Sequence, residues 1–277
     1  MIIENKINIK PFLRWAGGKR WLTKSIKNLL PENFNNYHEP FIGGASIFIY
    51  LKSNGIIKNH SFISDFNSEL INAYITLREN PSELIKNIKK LKNTKDNYYK
   101  IRASNPYKSL NKATRFIYLN KTSFNGIYRV NRNGKYNVPY GYRKGNNLFE
   151  FDNMLRLSKL LNDNVTLQSG DFDIVRENIL PDDLVFIDPP YTVAHENNGF
   201  IEYNQSIFTW EDQERIANLL EHINNIGAFF IMTNAAHESI HSLFSRFGKR
   251  HIVQRHSLIG GNGSTREKVN EYIYTNI

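Results

Sequence analysis

Four apolar residues, Leu184-Val185-Phe186-Ile187, run directly into Asp188-Pro189-Pro190-Tyr191. A short continuous apolar run of this kind reads as a strand buried on both faces, the type found in parallel sheets covered by helices. Two successive prolines donate no ladder hydrogen bonds, so the strand ends there. The chain therefore presents a carboxylate, a prolyl carbonyl and an aromatic ring at the carboxyl end of a parallel strand, the edge where open α/β sheets bind ligands. That set suits the exocyclic amine of a base. The Asp188 carboxylate and the Pro189 carbonyl accept N–H protons, and Tyr191 offers a flat face for stacking. Taken alone, the same residues also describe a Pro-Pro strand terminator with a solvated Asp188 and a packing Tyr191.

The rest of the chain alternates helices and strands around one interruption. Residues 37–39 enter Pro40-Phe41-Ile42-Gly43-Gly44-Ala45-Ser46, a helix is predicted over 47–53, and a strand over 61–64 ends on Asp65. Strand, Gly-rich turn, helix, strand and acid form one βαβ unit. A helix is also expected over 21–30. Between 68 and 120 the pattern is helical, with Pro81 at one helix start and Pro106 breaking another; its crowd of lysines reads mostly as a solvated face. Asn133-Gly134, flanked by Tyr128-Arg129-Val130 and Tyr136-Asn137-Val138, predicts a hairpin in which both turn residues adopt positive φ. Alternation then resumes with a helix over 148–161, strands over 165–167 and 184–187, a helix over 211–225, a strand over 228–233, a short helix near 239–244 and strands near 250–256 and 269–275. The polar stretch 192–206 suits a mobile lid. The expected fold is an α/β, Rossmann-like sheet with an inserted, mostly helical segment that carries the hairpin.

Three further constellations carry chemistry. Glu39 to Ser46 lets backbone approach a ligand closely, and Asp65 can accept both hydroxyls of a ribose. The Gly spacing of a dinucleotide fingerprint is missing, which weakens a nicotinamide enzyme, and Glu39 would repel a pyrophosphate. S-adenosylmethionine, a nucleoside with a positive sulfonium and no phosphate, fits better; a tight packing turn is the other reading. In Trp15-Ala16-Gly17-Gly18-Lys19 the indole can cover a cofactor while the glycines admit its carboxylate and Lys19 neutralises it. The alternative is a core Trp15 and a surface Lys19. Asp171, after a strand and a Gly, can accept from an adenine amino group or cap a helix.

In this order the motifs resemble the Dam family of DNA adenine-N6 methyltransferases, the α-group of amino-methyltransferases. Phe12 to Lys19 matches the family's Phe-x-x-Trp-x-Gly-Gly-Lys, Glu39 to Ala45 its Glu-Pro-Phe-x-Gly-x-Gly with Ala45 replacing the third Gly, and Asp188 to Tyr191 its Asp-Pro-Pro-Tyr. The resemblance runs nearly end to end. It implies a catalytic domain over 1–67 and 144–277 and a target-recognition domain over 68–143. It implies an S-adenosylmethionine site lined by Trp15, Ala16, Gly17, Gly18, Lys19, Glu39, Pro40, Phe41, Gly43, Ser46, Asp65, Asp171, Phe172 and Asp188. Asp188, Pro189, Pro190 and Tyr191 would be the catalytic residues. The stretch Leu119 to Arg129, followed by Asn137 to Gly141, is similar to the family's DNA-reading hairpin. By that likeness Arg129 reads a guanine edge, Phe124 and Asn125 occupy or contact the space left by an extruded adenine, Ile127 and Pro139 touch a thymine methyl, and Asn137 joins them, with GATC as the favoured site; a phosphate clamp is the other reading of Arg129.

Composition narrows the alternatives. With 36 Lys and Arg against 26 Asp and Glu the net charge is +10, which favours a polyanionic partner, here double-stranded DNA. There is no cysteine, which excludes disulfides, thiolate metal sites and the cysteine nucleophile that methylation of cytosine C5 needs. The eight histidines show no ligand spacing, so no metal is expected. No charged-then-apolar leader is seen, and no apolar run approaches the ~20 residues of a spanning helix. The expectation is a monomeric, cytoplasmic, nucleoid-associated protein of bacterial or phage origin. Rival readings are cytosine N4 or RNA adenine as the substrate, and a DNA-binding regulator that kept the fold without catalysis.

Overall fold

The structure is a computed structural model and describes residues 9–131, 133–143, 148–192, 208–256 and 268–277. The expected lid lies, apart from Thr192, outside the described residues. In chain order the elements are β1 (Tyr37–Glu39), α1 (Ser46–Ser53), β2 (Ser61–Asp65), α2 (Ser68–Glu79), α3 (Pro81–Lys89), α4 (Lys95–Ala103), α5 (Ser109–Thr122), α6 (Phe151–Leu161), β3 (Val165–Ser169), β4 (Leu184–Ile187), α7 (Trp210–Asn225), β5 (Phe229–Ala235), α8 (Glu238–Phe244), β6 (Lys249–His256) and β7 (Lys268–Thr275). The seven strands form one sheet in the order β3-β2-β1-β4-β5-β7-β6. β1 pairs with β4, and β4 with β5, in parallel; β7 runs antiparallel to both β5 and β6. The order reverses between β1 and β4, which is where a Rossmann-like sheet opens its ligand crevice. The registers Tyr37↔Leu184 and His38↔Val185 set the carboxyl ends of β1 and β4 side by side.

The α/β alternation holds, and the elements follow local chemistry. All four residues of β4 are buried, as the apolar run requires. Asn67 caps α2 by accepting from the N–H groups of Glu69 and Leu70, and Pro81 opens α3 at its first turn. α7 starts from a capping box in which Thr209 and Asp212 exchange hydrogen bonds. The helix expected over 21–30 is replaced by two 3-10 turns, Leu22–Lys24 and Ile26–Leu29. Leu22 and Ile26 are its buried anchors, the Ser25 side chain makes no capping bond, and Pro31 follows at once.

By its contacts the chain falls into two compact units. The first comprises Met1–Thr23, Ile42–Lys58 and Ile63–Asp171, and the second Lys24–Phe41, Asn59–Phe62 and Phe172–Ile277. The second unit buries Val185, Ile187, Phe230 and Met232 of the parallel strands against Ile216, Leu220, Ile240 and Phe244 of α7 and α8. His38 of β1 and Asp183, just before β4, form a fully buried pair at 2.8 Å; Asp183 also accepts from the N–H groups of Asn36 and Leu180. These bonds hold the Asp183 carboxyl below its usual range against the cost of burial.

In the first unit, a tyrosine-rich cluster of Tyr98, Tyr118, Leu119, Tyr136, Val138 and Tyr140 supports the hairpin. The turn differs from the sequence expectation. Of Asn133 and Gly134, Gly134 takes a left-handed φ, +70°, and Asn133 does not; the Gly134 N–H bonds to the Asn131 carbonyl, and the Asn131 N–H to the Lys135 carbonyl. A wider loop of this kind needs one glycine rather than two positive-φ residues. Among the described residues the arms pair in isolated bridges, Val130↔Tyr136 and Ser123↔Tyr140, rather than in a continuous ladder. Side chains replace the missing ladder: Tyr98 Oη donates to Val138 O at 2.8 Å, Tyr136 Oη to Ile127 O at 2.8 Å, and Arg102 to Val138 O at 3.0 Å.

Candidate active site

The second unit holds the strand-tip residues. Asp188 is half-buried just past β4, and β5 runs alongside in the register Ile187↔Met232. One step further along β5, Thr233 Oγ1 donates to Asp188 Oδ1 at 2.6 Å. Pro189 is buried. Half-buried Tyr191 donates its hydroxyl to Glu271 Oε2 at 2.9 Å, and Glu271 lies on β7 opposite Ala235, almost wholly buried. Burial, then the charges of Glu271 and Asp188, push the Tyr191 hydroxyl well above its ordinary range, so it stays a donor at any working pH. Fully buried Gln213 on α7 accepts from Asn234 at 3.0 Å and reaches Thr192 Oγ1 at 3.4 Å and Pro190 O at 3.5 Å. Thr233, Asn234, Gln213 and Glu271 belong to no motif found in the sequence. Their only signal there is polarity within otherwise apolar strand and helix patterns.

At the end of β1, Glu39 is buried and accepts the Tyr37 hydroxyl at 2.7 Å. Burial together with that carboxylate raises the Tyr37 hydroxyl far above its ordinary value. Pro40 is buried, and Phe41 packs its ring on Phe172 at 5.3 Å and on Phe208 at 5.8 Å. Phe172, also buried, has the Arg215 guanidinium 4.6 Å from its ring centre. Phe41 and Phe172 are thus brought together, as part of an aromatic cluster.

The first unit holds the glycine loops. The carboxylate of Asp65 accepts the Gly43 N–H at 3.1 Å and the Asn67 N–H at 2.9 Å. Burial nonetheless pushes its pKa up to about 6, the two N–H bonds offsetting only part of the cost. Gly43 has φ +44°, and a methyl there would stand 2.7 Å from Trp15 Cδ1. The indole lies over this turn and stacks on Tyr128 at 5.9 Å. Ala45 occupies the left-handed region at φ 58°, so its methyl carries the strain a third glycine avoids. Ser46 opens α1. Lys19 is buried and donates to Gly17 O at 3.0 Å, whereas Ala16 and Gly17 are exposed and Gly18 half-buried. Asp171 is exposed at the end of this unit. Phe66, unremarked in the sequence, is 76% exposed directly after Asp65, an unusual place for a large apolar side chain.

In the hairpin, Arg129 Nε donates to Asn137 Oδ1 at 2.8 Å while the Asn137 N–H bonds to Arg129 O. Asn137 therefore aims an exposed Arg129. Phe124 and Asn125 are exposed on a turn where Asn125 takes φ 52°; Pro139 is exposed and Ile127 half-buried. Asn120, buried, clamps both the N–H and the carbonyl of Arg14, at 2.8 and 2.7 Å, tying the Trp15 loop to the base of the hairpin. Among the described residues, no group of three or more His, Asp or Glu is placed to hold a metal ion, and no helix is long and apolar enough to cross a membrane.

A Rossmann-like sheet with Asp-Pro-Pro-Tyr at the tip of its fourth strand and a Gly-rich turn at its first defines the amino-methyltransferase class. Within that class the chain belongs to the D12 class N6 adenine-specific DNA methyltransferases, whose family description it matches over residues 15–258. It is 34% identical to the Type II methyltransferase M1.LlaDCHI of Lactococcus lactis subsp. cremoris, with 100% of this chain and 98% of that protein covered. It is 32% identical to the Type II methyltransferase M.MjaIII of Methanocaldococcus jannaschii, covering 94% and 96%. It is 29% identical to the DNA adenine methylase of Escherichia coli, covering 95% and 94%. The protein is an enzyme of this family, and its cofactor is S-adenosylmethionine.

Proposed function

We propose that the enzyme methylates adenine N6 within GATC in duplex DNA, as a monomer, after turning the target base out of the helix. The observation that carries this reading is Asp188, held at the tip of β4 by Thr233 beside the end of β1. Eversion costs a few kcal/mol, and stacking on Tyr191 returns roughly 1–3 kcal/mol. The Asp188 carboxylate and the Pro189 carbonyl then accept the two N6 protons, which draws the nitrogen lone pair out of conjugation. S-adenosylmethionine supplies an electrophilic methyl group on a positively charged sulfur. The chain's own contribution is orientation and charge placement.

The residues suit that cofactor. Gly17, at φ +78° with open space where a Cβ would stand, admits close approach, and Asp65 keeps lone pairs for ribose hydroxyls. Phe66 offers a ring for a purine to stack on. Trp15, Ala16, Gly18, Lys19, Glu39, Pro40, Phe41, Gly43, Ser46, Asp171 and Phe172 complete the cofactor set. Residues 68–143 are the recognition domain, with Arg129 reading guanine and Phe124, Asn125, Ile127, Asn137 and Pro139 lining the DNA. Residues 1–67 and 144–277 form the catalytic domain.

Mapping modified bases in DNA exposed to the enzyme tests the reading, since base, position and flanking sequence are read together. N6-methyladenine confined to GATC is expected; cytosine N4 methylation or another motif rejects the corresponding part. Asp188→Ala is expected to abolish methyl transfer and leave DNA affinity largely intact. Near-normal turnover in that variant rejects the assignment of Asp188.

A further inference from the structure

A stacking ring needs no hydroxyl and no acid. Phenylalanine stacks as well as tyrosine, and an apolar residue at position 271 would avoid the cost of burying a carboxylate. The chain nevertheless buries Glu271 in the interior strand β7 and bonds it to the Tyr191 hydroxyl at 2.9 Å. Glu271 is fixed at its own base by the β5–β7 ladder through its register with Ala235, two residues along β5 from Thr233, the residue that holds Asp188. Gln213 holds the next turn of the same segment through Pro190 O and Thr192. The two groups assigned to the everted base are thus each held from the sheet: Thr233 fixes one oxygen of the Asp188 carboxylate, and Glu271 holds the Tyr191 ring at the end remote from its stacking face. A bond at the para position fixes where the far end of the ring sits, and because a phenolic O–H prefers to lie in the ring plane, the direction of its acceptor also biases how the ring tilts about χ2.

We infer that Glu271 is a positioning residue for base capture: through the Tyr191 hydroxyl it holds the ring in the plane that receives the everted adenine. The inference rests on the base-eversion reading proposed above. The role assigned to Glu271 is exerted through the Tyr191 hydroxyl. Removing it is expected to lower turnover without weakening the hold on S-adenosylmethionine.

The test uses the full chain and a GATC duplex carrying 2-aminopurine at the target adenine. Glu271→Ala is expected to lower kcat roughly ten- to a hundredfold, the scale of a small misplacement at a reacting group, with S-adenosylmethionine affinity unchanged. Glu271→Gln, whose amide oxygen still accepts the hydroxyl, restores most of the turnover. Tyr191→Phe reproduces the loss, and the double variant Glu271→Ala with Tyr191→Phe is no slower than either single one, since both break the same bond. With Glu271→Ala the 2-aminopurine emission rises above that of the parent complex, because an everted base that stacks poorly is less quenched. Parental kcat in folded Glu271→Ala, or losses that multiply in the double variant, overturn the inference. If Glu271→Ala does not fold, Tyr191→Phe decides: parental kcat there overturns it. A parent complex in which 2-aminopurine never brightens rejects base eversion itself, an outcome distinct from a bright parent with an unaffected Glu271 variant.

Discussion

At the scale of single residues, the cofactor role proposed for Asp65 carries a pH response, because its carboxylate is buried. Its carboxyl is pushed up to about 6 because burial outweighs two backbone N–H bonds. The folded value lies above the unfolded 3.8, so folding favours the protonated acid. Ionised Asp65 therefore opposes stability, with a cost that grows as pH rises from the unfolded pKa through about 6 and is constant above. Ribose hydroxyls donate to the ionised form, so binding has the opposite preference. S-adenosylmethionine affinity is expected to be flat above neutrality and to weaken by about tenfold per pH unit below the folded pKa. Calorimetric titration between about pH 5 and 8 reads this directly. Asp65→Asn is expected to bind weakly with no such slope. A wild-type dissociation constant that stays level across the range removes Asp65 from the cofactor site.

At the scale of elements, the glycine loop at Trp15 and the glycine turn after β1 have different jobs that separate by mutation. Gly17 and Gly43 both have positive φ, but only at Gly43 would a methyl meet the Trp15 ring. Gly17→Ala should cost only the left-handed strain of about 1–2 kcal/mol. Gly43→Ala should add an overpacking cost of about 1–3 kcal/mol and displace the indole. Thermal unfolding checks this: the midpoint is expected to fall clearly further for Gly43→Ala, and equal shifts contradict the packing of Trp15 on the turn. Elements of this kind were legible in the sequence because their chemistry is local. The apolar run of β4, its two prolines, the Asp65 strand end and Pro81 at a helix start each act within a few residues. What escaped depends on partners far along the chain. Thr233 meets Asp188 across 45 residues and Glu271 meets Tyr191 across 80, separations at which no spacing rule operates. The missing helix before Pro31 and the one-glycine hairpin loop failed for another reason. Tertiary anchors and tyrosine hydroxyls there supply what intrinsic propensity does not.

At the scale of the whole molecule, a net charge of +10 and the base-reading role proposed for Arg129 predict separable effects on DNA binding. The diffuse surplus attracts any duplex by displacing counterions, so affinity falls with salt by a slope set by the number of phosphates neutralised. Arg129 is different in kind. Asn137 occupies its Nε at 2.8 Å, so the proposed reading of guanine O6 and N7 falls to the two terminal nitrogens. Arg129→Ala is therefore expected to cost about 1–3 kcal/mol of discrimination at one guanine, leaving affinity for unrelated duplexes and the salt slope unchanged. Asn137→Ala, which frees Nε without removing the charge of Arg129, should lose part of that discrimination and again leave the slope intact. Binding isotherms for GATC and single-substituted duplexes at several salt concentrations separate the cases. If Arg129→Ala weakens every sequence equally and lowers the slope by about one, the arginine neutralises a phosphate and the sequence is read elsewhere in the recognition domain.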